Sequence, residues 1–386
     1  MEAGGRQAMT GTPDADGTDA DLRDQLKSME AKLRRLRDIR QQHNEAGKRS
    51  ADSRNSIQKE YKKLREEINE LLAENKVIRN KAKKHQARRD AIQQQIRELI
   101  GQSKNSRSEK GKKSPILELT NEQAKSLERN LLKKGNYKCF VVMRCWHPRA
   151  SEVIGQVKKY NPDEIILLPL YPQYSATTSG SSINEWKELC KKENYNIKTK
   201  TICCYPTENY FIESHVSLIK KTIEEVKNKD FKLIFSAHGL PENKIKKGDP
   251  YQWQVEETVK EIMSKIKNEN LDYILSYQSR VGPLKWIGPS TDEIIIKYSK
   301  EKKGIVIVPV AFVSEHSETL VELDIEYKKL AEKNDCSFYK RVPALGVEEN
   351  FIRGLEELVL KTKTKDNFVS SIICPNKHAK CPCLGL

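Results

Sequence analysis

Three groups of residues in this sequence have side chains that could carry out acid–base or metal chemistry. The first is His238, which directly follows the apolar run at 232–237 and precedes Gly239 and Pro241. The run predicts a buried strand, and the glycine and proline predict a sharp turn. A histidine at the end of a strand is well placed to act as a base or a metal ligand. A purely structural histidine is an equally good interpretation.

The second group follows the apolar run at 304–313. It contains His316 and four carboxylates at spacings of three, four and four residues: Glu315, Glu318, Glu322 and Glu326. On a helix these spacings place the carboxylates on one face. A solvated acidic face is the plainer interpretation. However, carboxylate oxygen suits hard divalent cations and imidazole suits ferrous iron, so the pattern also fits a path for a metal ion.

The third group is C-terminal, where Cys374, Cys381 and Cys383 form the pattern C-x6-C-x-C. The chain has nine cysteines and no segment with the features of an export signal. We therefore expect a reducing, cytoplasmic location in which the cysteines are thiols or metal ligands. Three thiols this close together are typical of a metal or iron–sulfur site, which usually takes four. Incidental cysteines on a frayed tail are the alternative.

The elements that must position these groups lie in segment 114–386, where apolar runs alternate with helical patterns. The runs are at 138–145, 164–171, 200–205, 232–237, 272–277, 304–313 and 338–345. Short, fully apolar strands that alternate with helices predict parallel sheets covered on both faces, arranged here as two similar lobes. In such sheets the functional residues gather at the carboxyl ends of the strands.

The residues before 114 have a different pattern. Residues 1–21 lack periodicity and are predicted to be disordered. Residues 22–101 carry a heptad repeat of apolar residues, which predicts a coiled coil. Polar residues interrupt the repeat between 40 and 54, which indicates either a hairpin of two helices or a frayed rod. Residues 102–113 are rich in Ser, Lys and Gly and predict a flexible basic linker.

The charge and polarity of the chain restrict its partners only weakly. The formal net charge is +16, with 32% charged and 37% hydrophobic residues, which is too polar for one uniform globular body. A charge of this size suits nucleic acid, anionic lipid or an acidic ligand without choosing among them. A solvated lysine-rich surface is the plainer interpretation.

Five blocks of segment 114–386 resemble the ferrochelatase family, bacterial type, in the order of that family. They read LLPLYPQYSATTSGSS at 167–182, FSAHGLP at 235–241, GDPYQWQV at 248–255, YQSRVGPLKWIGPSTDE at 277–293 and VPVAFVSEHSETLVELDIEY at 308–327. The resemblance implies an α/β fold of two Rossmann-like lobes with a porphyrin cleft between them. It also implies insertion of Fe2+, as substrate, into protoporphyrin IX to form protohaem, the last step of haem biosynthesis.

The resemblance further implies roles for individual residues. The catalytic pair is His238 and Glu318, and the metal-contacting residues beside them are His316, Glu322 and Glu326. The porphyrin-binding residues are Arg144, Tyr171, Ser175, Trp286 and Phe312. The C-terminal cysteines Cys374, Cys381 and Cys383 resemble those that hold a [2Fe–2S] cluster in bacterial members. The fourth ligand of some relatives is missing near Ala176, which leaves Cys139, Cys145, Cys190, Cys203 and Cys204 as candidates.

The sequence departs from the family in two places. The family begins with a strand, an LNLGGP-like turn and a helical lip over the porphyrin, and none of these precedes Ser114. The first lobe is therefore expected to be incomplete. In addition, Cys145 stands where the family often has tyrosine.

Three functional hypotheses follow. The first is a ferrochelatase with an appended coiled coil, which would allow homo-oligomerisation, and with a peripheral membrane contact. The second is a non-catalytic coiled-coil interaction protein that carries a truncated chelatase domain. The third, a coiled coil that binds nucleic acid, has the least support.

Overall fold

The computed structural model describes residues 114–386 apart from 269, 281–283, 363–367, 372–373 and 384–386, and short stretches between 35 and 69. The chain divides into two units, Met1–Gly111 and Lys112–Leu386. The predicted disordered segment 1–21, most of the predicted coiled coil 22–101 and the whole linker 102–113 lie outside the described residues, so those predictions stay untested.

The described residues of the first unit are helical, and they include one informative contact. The guanidinium of Arg35 pairs with the carboxylate of Glu60 at 2.9 Å. In a single straight helix these residues would lie about 37 Å apart. The contact therefore favours the hairpin over the straight rod, whereas association between chains remains a prediction.

The second unit alternates helices and strands. Its helices are α1 (Ile116–Leu131), α2 (Ala150–Tyr160), α3 (Ser179–Lys192), α4 (Asn209–Glu224), α5 (Glu242–Lys246), α6 (Tyr251–Ile266), α7 (Thr291–Lys300), a π-helix (Glu318–Tyr327), α8 (Lys328–Lys333) and α9 (Glu349–Lys361). Its strands are β1 (Glu164–Leu167), β2 (Lys198–Cys204), β3 (Phe231–His238), β4 (Tyr273–Gln278), β5 (Gly304–Pro309), β6 (Tyr339–Arg341) and β7 (Phe368–Ser370).

The strands form two parallel sheets, which confirms the predicted α/β fold. The first sheet has the order β1-β2-β7 and the second has the order β4-β3-β5-β6. Strand β7 returns the chain from the second sheet to the first, a crossing that the three-residue run at 368–370 was too short to predict. No helix among the described residues is both long and apolar enough to cross a membrane.

The central strands of the second sheet, β3 and β5, are almost completely buried. All six residues of β5 are buried, as are the six interior residues of β3. Because helices cover both faces of a parallel sheet, every position of a central strand must be compatible with burial. The apolar runs at 232–237 and 304–309 meet this requirement, and they hold the carboxyl edge of the sheet in a fixed position.

Four predicted strands differ from the observed ones. The run at 164–171 is a strand only over its first four residues, Glu164–Leu167. The run at 138–145 is not a strand, since none of its residues joins a ladder. The run at 304–313 leaves the sheet after Pro309, beyond which no β3 residue is paired with it. The run at 338–345 pairs with β5 over only three residues. In each case the apolar composition was read correctly, but a strand also needs a neighbouring strand.

Candidate active site

The candidate active site lies at the carboxyl edge of the second sheet. His238 is the last residue of β3, and its register partner is Gln278, the last residue of β4. The chain then turns at Gly239, where an added Cβ would lie 3.0 Å from the carbonyl oxygen of Gln278. This close approach of two backbones explains why glycine follows the histidine.

Glu318 and two histidines meet at this edge. Nδ1 of His238 lies 3.1 Å from Oε2 of Glu318, and Nε2 of His316 lies 3.9 Å from the same oxygen. The side chains of His238 and Glu318 are 33% and 31% exposed, so that solvent and a ligand can reach them. The structure thus brings together residues that are 80 positions apart in the sequence.

The charges at this edge are set by burial and by the imidazoles. Burial raises the pKa of Glu318, but the charge and hydrogen bond of His238 outweigh burial and lower this pKa to about 2. Burial also lowers the pKa of His316, an effect that Glu318 and Glu315 only partly offset. At neutral pH the site therefore holds an ionised carboxylate next to a neutral His316.

Glu322 is held by a network that the sequence analysis did not identify. Its carboxylate accepts hydrogen bonds from the backbone N–H of Ser279 at 2.9 Å, the side-chain amide of Gln278 at 3.0 Å and the hydroxyl of Tyr327 at 3.0 Å. Burial and the negative charge of Glu318 raise the pKa of Glu322 against these hydrogen bonds. The residues that hold Glu322, Gln278 and Ser279, belong to the YQS block at the end of β4, and their polar side chains at the end of a strand were the available sequence signal.

The carboxylates are carried by a π-helix, which the spacing alone did not predict. Glu318, Glu322 and Glu326 recur every four residues along this helix, a spacing that lies between the period of an α-helix and that of the wider π-helix. Glu326 is half-buried on the same helix. Glu315 lies outside it and bonds instead to Arg341 at 2.8 Å and to the backbone N–H of Ala344 at 3.0 Å.

Arg341 fixes the π-helix to the second sheet. Its guanidinium pairs with Asp324 on the helix at 2.5 Å as well as with Glu315 just before it. Because Arg341 is the last residue of β6, this two-sided ion pair ties the acidic helix to the edge strand.

Two of the predicted porphyrin-binding aromatics lie beside the histidines. The ring of Phe312 lies 4.8 Å from the ring of His316 at a tilt of 53°. Trp286 bridges to Pro241, and its ring lies 3.4 Å from the position of a Cβ on Gly239. Both side chains are half-buried, which suits a wall for a flat apolar ligand.

Two further predicted residues belong to the first lobe. Tyr171 is 41% exposed overall, but the protein around its hydroxyl raises its pKa to about 12, with further contributions from Cys145 and Glu318. Tyr171 thus lies within electrostatic reach of the carboxylate. Nε of Arg144 donates to the Ser181 hydroxyl at 2.8 Å.

Ser175 is placed differently from the other predicted porphyrin contacts. It is fully buried, and its hydroxyl donates to Asp249 at 2.9 Å. The same carboxylate oxygen accepts the backbone N–H of Ala176. In this structure Ser175 therefore holds the loop that follows Tyr171.

The C-terminal cysteines converge with a cysteine from β2. The sulfur atoms of Cys203, Cys381 and Cys383 all lie within 4.8 Å of one another. Cys374 joins them through a hydrogen bond with Cys381. Hydrogen bonds from Cys203, Cys374 and Cys383 lower the pKa of Cys381, as expected for one thiolate shared among thiols. Of the five cysteines that the sequence analysis considered, Cys203 is the one whose sulfur lies within 4.8 Å of those of both Cys381 and Cys383.

Comparison with known proteins identifies a family and several relatives. The family model described as Ferrochelatase matches residues 57–363, so the match begins in the heptad region and ends before the C-terminal cysteines. A Ferrochelatase from Pelagibacter ubique is 61% identical over 284 residues, which are 72% of this chain and 82% of that protein. A Ferrochelatase from Rickettsia felis is 48% identical over 301 residues, 75% of this chain and 86% of that protein.

Among solved structures, SirB from Bacillus subtilis with Fe3+ aligns over 63% of this chain and 88% of its own, at 14% identity and a TM-score of 0.47. That likeness is too remote to inform on the site.

Proposed function

The chain belongs to the ferrochelatase family, lyases that insert ferrous iron into protoporphyrin IX in haem biosynthesis, and on this premise we propose that His238 and Glu318 carry its chemistry. The observation that supports the assignment is the 3.1 Å contact between Nδ1 of His238 and Oε2 of Glu318 at the carboxyl edge of β3. The relatives also favour an enzyme over the non-catalytic interaction protein.

The contact fixes which nitrogen of His238 accepts a proton. Because a carboxylate with a pKa of about 2 is ionised at neutral pH, it can only accept a hydrogen bond. Nδ1 therefore carries the hydrogen, and the lone pair of Nε2 is left to accept a proton. Glu318 then stabilises the imidazolium that forms. Glu318 is thus a partner to the base and a ligand for the approaching cation.

Metallation releases two pyrrole N–H protons for each ferrous ion that enters, and the site offers two acceptors. His238 takes one, and the neutral imidazole of His316 lies on the other side of the same carboxylate at 3.9 Å. The dication replaces the two protons on the macrocycle, and Glu318 stabilises the positive charge that the two histidines carry until they release these protons to solvent. Glu322 and Glu326 continue the line of carboxylates along the π-helix and serve as the route for the ion.

The porphyrin is held by residues from both lobes. Phe312 and Trp286 supply apolar surface beside the histidines, and Tyr171 and Arg144 supply the facing side, where the guanidinium pairs with a propionate. Ser175 acts indirectly by holding the loop of Tyr171.

A His238→Ala variant tests the assignment. We expect the rate of ferrous insertion into protoporphyrin IX, followed by the change in porphyrin absorbance, to fall by about 100- to 10,000-fold. The matched control is His147→Ala, because His147 forms a similar pair with Glu152 at 2.7 Å outside the site. Full activity of His238→Ala, or an equal loss in the control, would remove His238 from the mechanism.

We also propose that Cys203, Cys374, Cys381 and Cys383 hold a [2Fe–2S] cluster. The convergence of four thiols, three of them buried, supplies the donor set that such a cluster takes. When bound, it would add a one-electron redox centre that also ties the C-terminal segment to β2. The proton and metal steps above use none of these residues.

Substitution of Cys203 and of the adjacent Cys204 tests which of the two binds the cluster. After anaerobic reconstitution with iron and sulfide, Cys203→Ser is expected to lose the visible absorbance and the acid-labile sulfide of a cluster. Cys204→Ser should keep both, since Cys204 is equally buried and next to Cys203 but is not among the three cysteines whose sulfur atoms all lie within 4.8 Å of one another. Equal cluster content in the two variants would contradict the assignment of Cys203.

Homo-oligomerisation through residues 22–101, a peripheral membrane contact and a cytoplasmic location remain predictions. Sedimentation of the full chain and of a chain lacking residues 1–111 would test the first of these.

A further inference from the structure

Gln254 is a buried amide that lies between the C-terminal cysteines and the loop of Tyr171. It belongs to the first turn of α6 and is completely buried. Its side-chain nitrogen lies 3.2 Å from the sulfur of Cys374 and 3.4 Å from that of Cys204. Its side-chain oxygen lies 2.7 Å from the backbone nitrogen of Tyr174. One side chain therefore contacts both the cysteines and the loop that we assign to porphyrin binding.

The chemistry of these partners fixes the direction in which the amide points. A backbone N–H can only donate, so the amide oxygen of Gln254 must face Tyr174. The two N–H donors then face the sulfur atoms, which accept more strongly when they carry negative charge. A Cys374 sulfur that has lost its proton therefore holds the amide in the orientation that the loop requires. Loss of this acceptor leaves a buried N–H without a partner, which favours rotation of the amide away from the loop.

The loop between β1 and α3 is held along α6 and the residues before it by three hydrogen bonds. The side-chain amide of Gln173 donates to the hydroxyl of Thr258 at 3.0 Å, and the backbone N–H of Ala176 donates to Asp249 at 2.9 Å. The bond from Tyr174 lies between these two and is the shortest. It is also the one that leads to a side chain bonded to the cysteines.

The ring of Tyr174 provides a second connection between the loop and the cysteines. It is buried in a small cluster with Cys203, Cys204 and Cys383. Its hydroxyl lies against the start of α3, where a Cβ added to Gly180 would be 2.6 Å away. A change in the position of the cysteines therefore reaches both the backbone and the ring of the same loop residue.

The C-terminal segment is docked on the start of α6. The ring of His378 stacks on that of Trp253, with 5.4 Å between the ring centres and an angle of 28°. The backbone N–H of Lys380 donates to the carbonyl of Gly248 at 3.1 Å. The contact of this segment with Gln254 is therefore one of several that join it to the same helix end.

We propose that Gln254 is a positioning residue that couples the cysteine centre to the porphyrin-binding loop. The cysteine centre is defined by Cys203, Cys374, Cys381 and Cys383. When the centre is occupied, the sulfur of Cys374 accepts from Gln254, and the amide oxygen holds the backbone of Tyr174. When the centre is empty, this support weakens and Tyr171 loses its fixed position. The inference rests on the proposed cluster and extends it, because porphyrin affinity then depends on the occupancy of the centre.

Titration of protoporphyrin IX without ferrous substrate tests the coupling, with binding followed by porphyrin absorbance. The dissociation constant should be at least about fivefold lower for cluster-loaded than for cluster-free wild-type protein. Gln254→Leu removes the donors and the acceptor at similar volume, so its two states should bind porphyrin equally. Gln252→Leu is the matched control and should keep the wild-type ratio, because Gln252 lies on the same helix but bonds to Glu256 at 3.0 Å.

Two further measurements separate the coupling from a general loss of structure. The backbone amide of Tyr174 should exchange at least about fivefold faster in cluster-free than in loaded wild-type protein, with the amides of β3 unchanged. The loaded cluster of Gln254→Leu should have a lower midpoint potential than that of wild type, because N–H donors to ligand sulfur stabilise the reduced cluster. If Gln254→Leu does not fold, Gln254→Glu replaces it. The carboxylate keeps an acceptor for Tyr174 but has no donor for Cys374, so the ratio should again be close to one.

The possible failures are distinguishable from one another. Wild-type protein that gains no cluster absorbance and no acid-labile sulfide on reconstitution would overturn the cluster and its coupling together. Loaded wild-type protein that binds porphyrin no more tightly than cluster-free protein would overturn the coupling alone. The same conclusion follows if the Gln254 variants keep the wild-type ratio.

Discussion

The two sheets of this chain differ in how completely they are built. The second sheet has four strands, and its central strands β3 and β5 are buried along nearly their whole length. The first has three strands and a half-buried β1, and the apolar segment at 139–143 joins no ladder among the described residues. The difference shows that an apolar run is not enough to make a strand, because the ladder needs a partner as well as burial.

The candidate site takes residues from both sheets, and these residues differ in how firmly they are held. His238, His316, Glu318 and Glu322 are held by the complete sheet and by the π-helix that Arg341 ties to it. Tyr171 and Arg144 follow β1 and the unpaired segment, which are the less supported parts of the molecule. We therefore expect the proton and metal chemistry to depend on the second lobe and porphyrin affinity to depend on the first.

The largest effect is expected from Glu318→Gln in the complete lobe. The amide keeps the shape of the carboxylate but removes the charge that stabilises a protonated His238 and attracts the cation. We expect kcat for ferrous insertion to fall by about 100- to 1,000-fold, measured with saturating iron and porphyrin. Glu332→Gln on α8 is the control, because this carboxylate pairs with Lys328 at 3.9 Å on the surface and lies outside the candidate site. A change in KM for iron with an unaltered kcat would leave Glu318 as a binding residue only.

The next largest effect is a difference in the free energy of unfolding lost when one isoleucine is truncated in each sheet. Ile307→Ala in the fully buried β5 should cost about 2–5 kcal/mol of unfolding free energy, as expected for a cavity in a packed core. Ile165→Ala in β1 should cost about 1 kcal/mol, because its side chain is half-exposed already. Urea unfolding at equal m-values measures both. Equal losses would mean that β1 is as well covered as β5, and the contrast between the lobes would fail.

Much of the fold could be predicted from the sequence because parallel strands need continuous apolar runs, and six of seven predicted runs contain a strand. The run at 138–145 has a similar apolar composition but is not a strand. Whether a run pairs depends on a neighbouring strand, and the residues of the run itself carry no information about that neighbour. Strand β7 was missed for the opposite reason. Its three residues pair with β2, and this long-range contact leaves almost no local pattern.

The site was predictable where residue type and strand position coincide. His238 follows a buried strand, and a histidine in that position is readable from local sequence. The π-helix was not, because a four-residue spacing of carboxylates fits an α-helix nearly as well. Nor was the convergence of Cys203 with the C-terminal cysteines, since five cysteines were candidates and only the return of the chain through β7 brings one of them close.

A smaller effect is expected from Arg144→Lys in the first lobe. Lysine keeps the positive charge but loses the planar fork that can pair with a propionate through two hydrogen bonds. The KM for protoporphyrin should rise about tenfold, the loss of roughly 1.4 kcal/mol, with kcat nearly unchanged. Arg149→Lys is the control. Its guanidinium pairs with Glu185 at 3.5 Å, the same carboxylate that pairs with Arg144 at 3.7 Å, but Arg149 is not one of the predicted porphyrin-binding residues. A fall in kcat would place Arg144 in the chemistry of the second lobe.

The smallest effect is the pH dependence of stability that the His238–Glu318 pair contributes. The pKa of Glu318 is about 2 in the folded chain against an ordinary value of 4.5. The unfolded chain therefore binds the proton first as pH falls. The stabilisation is complete above pH 4.5 and is lost progressively as the pH falls towards 2. Both side chains are about a third exposed, so solvent screens the pair and keeps its contribution small.

Urea unfolding of wild-type protein and Glu318→Gln between pH 6 and pH 3 should give a difference in free energy that shrinks with falling pH. A difference that stays constant would mean that the ionisation of Glu318 does not contribute to the stability of the folded chain.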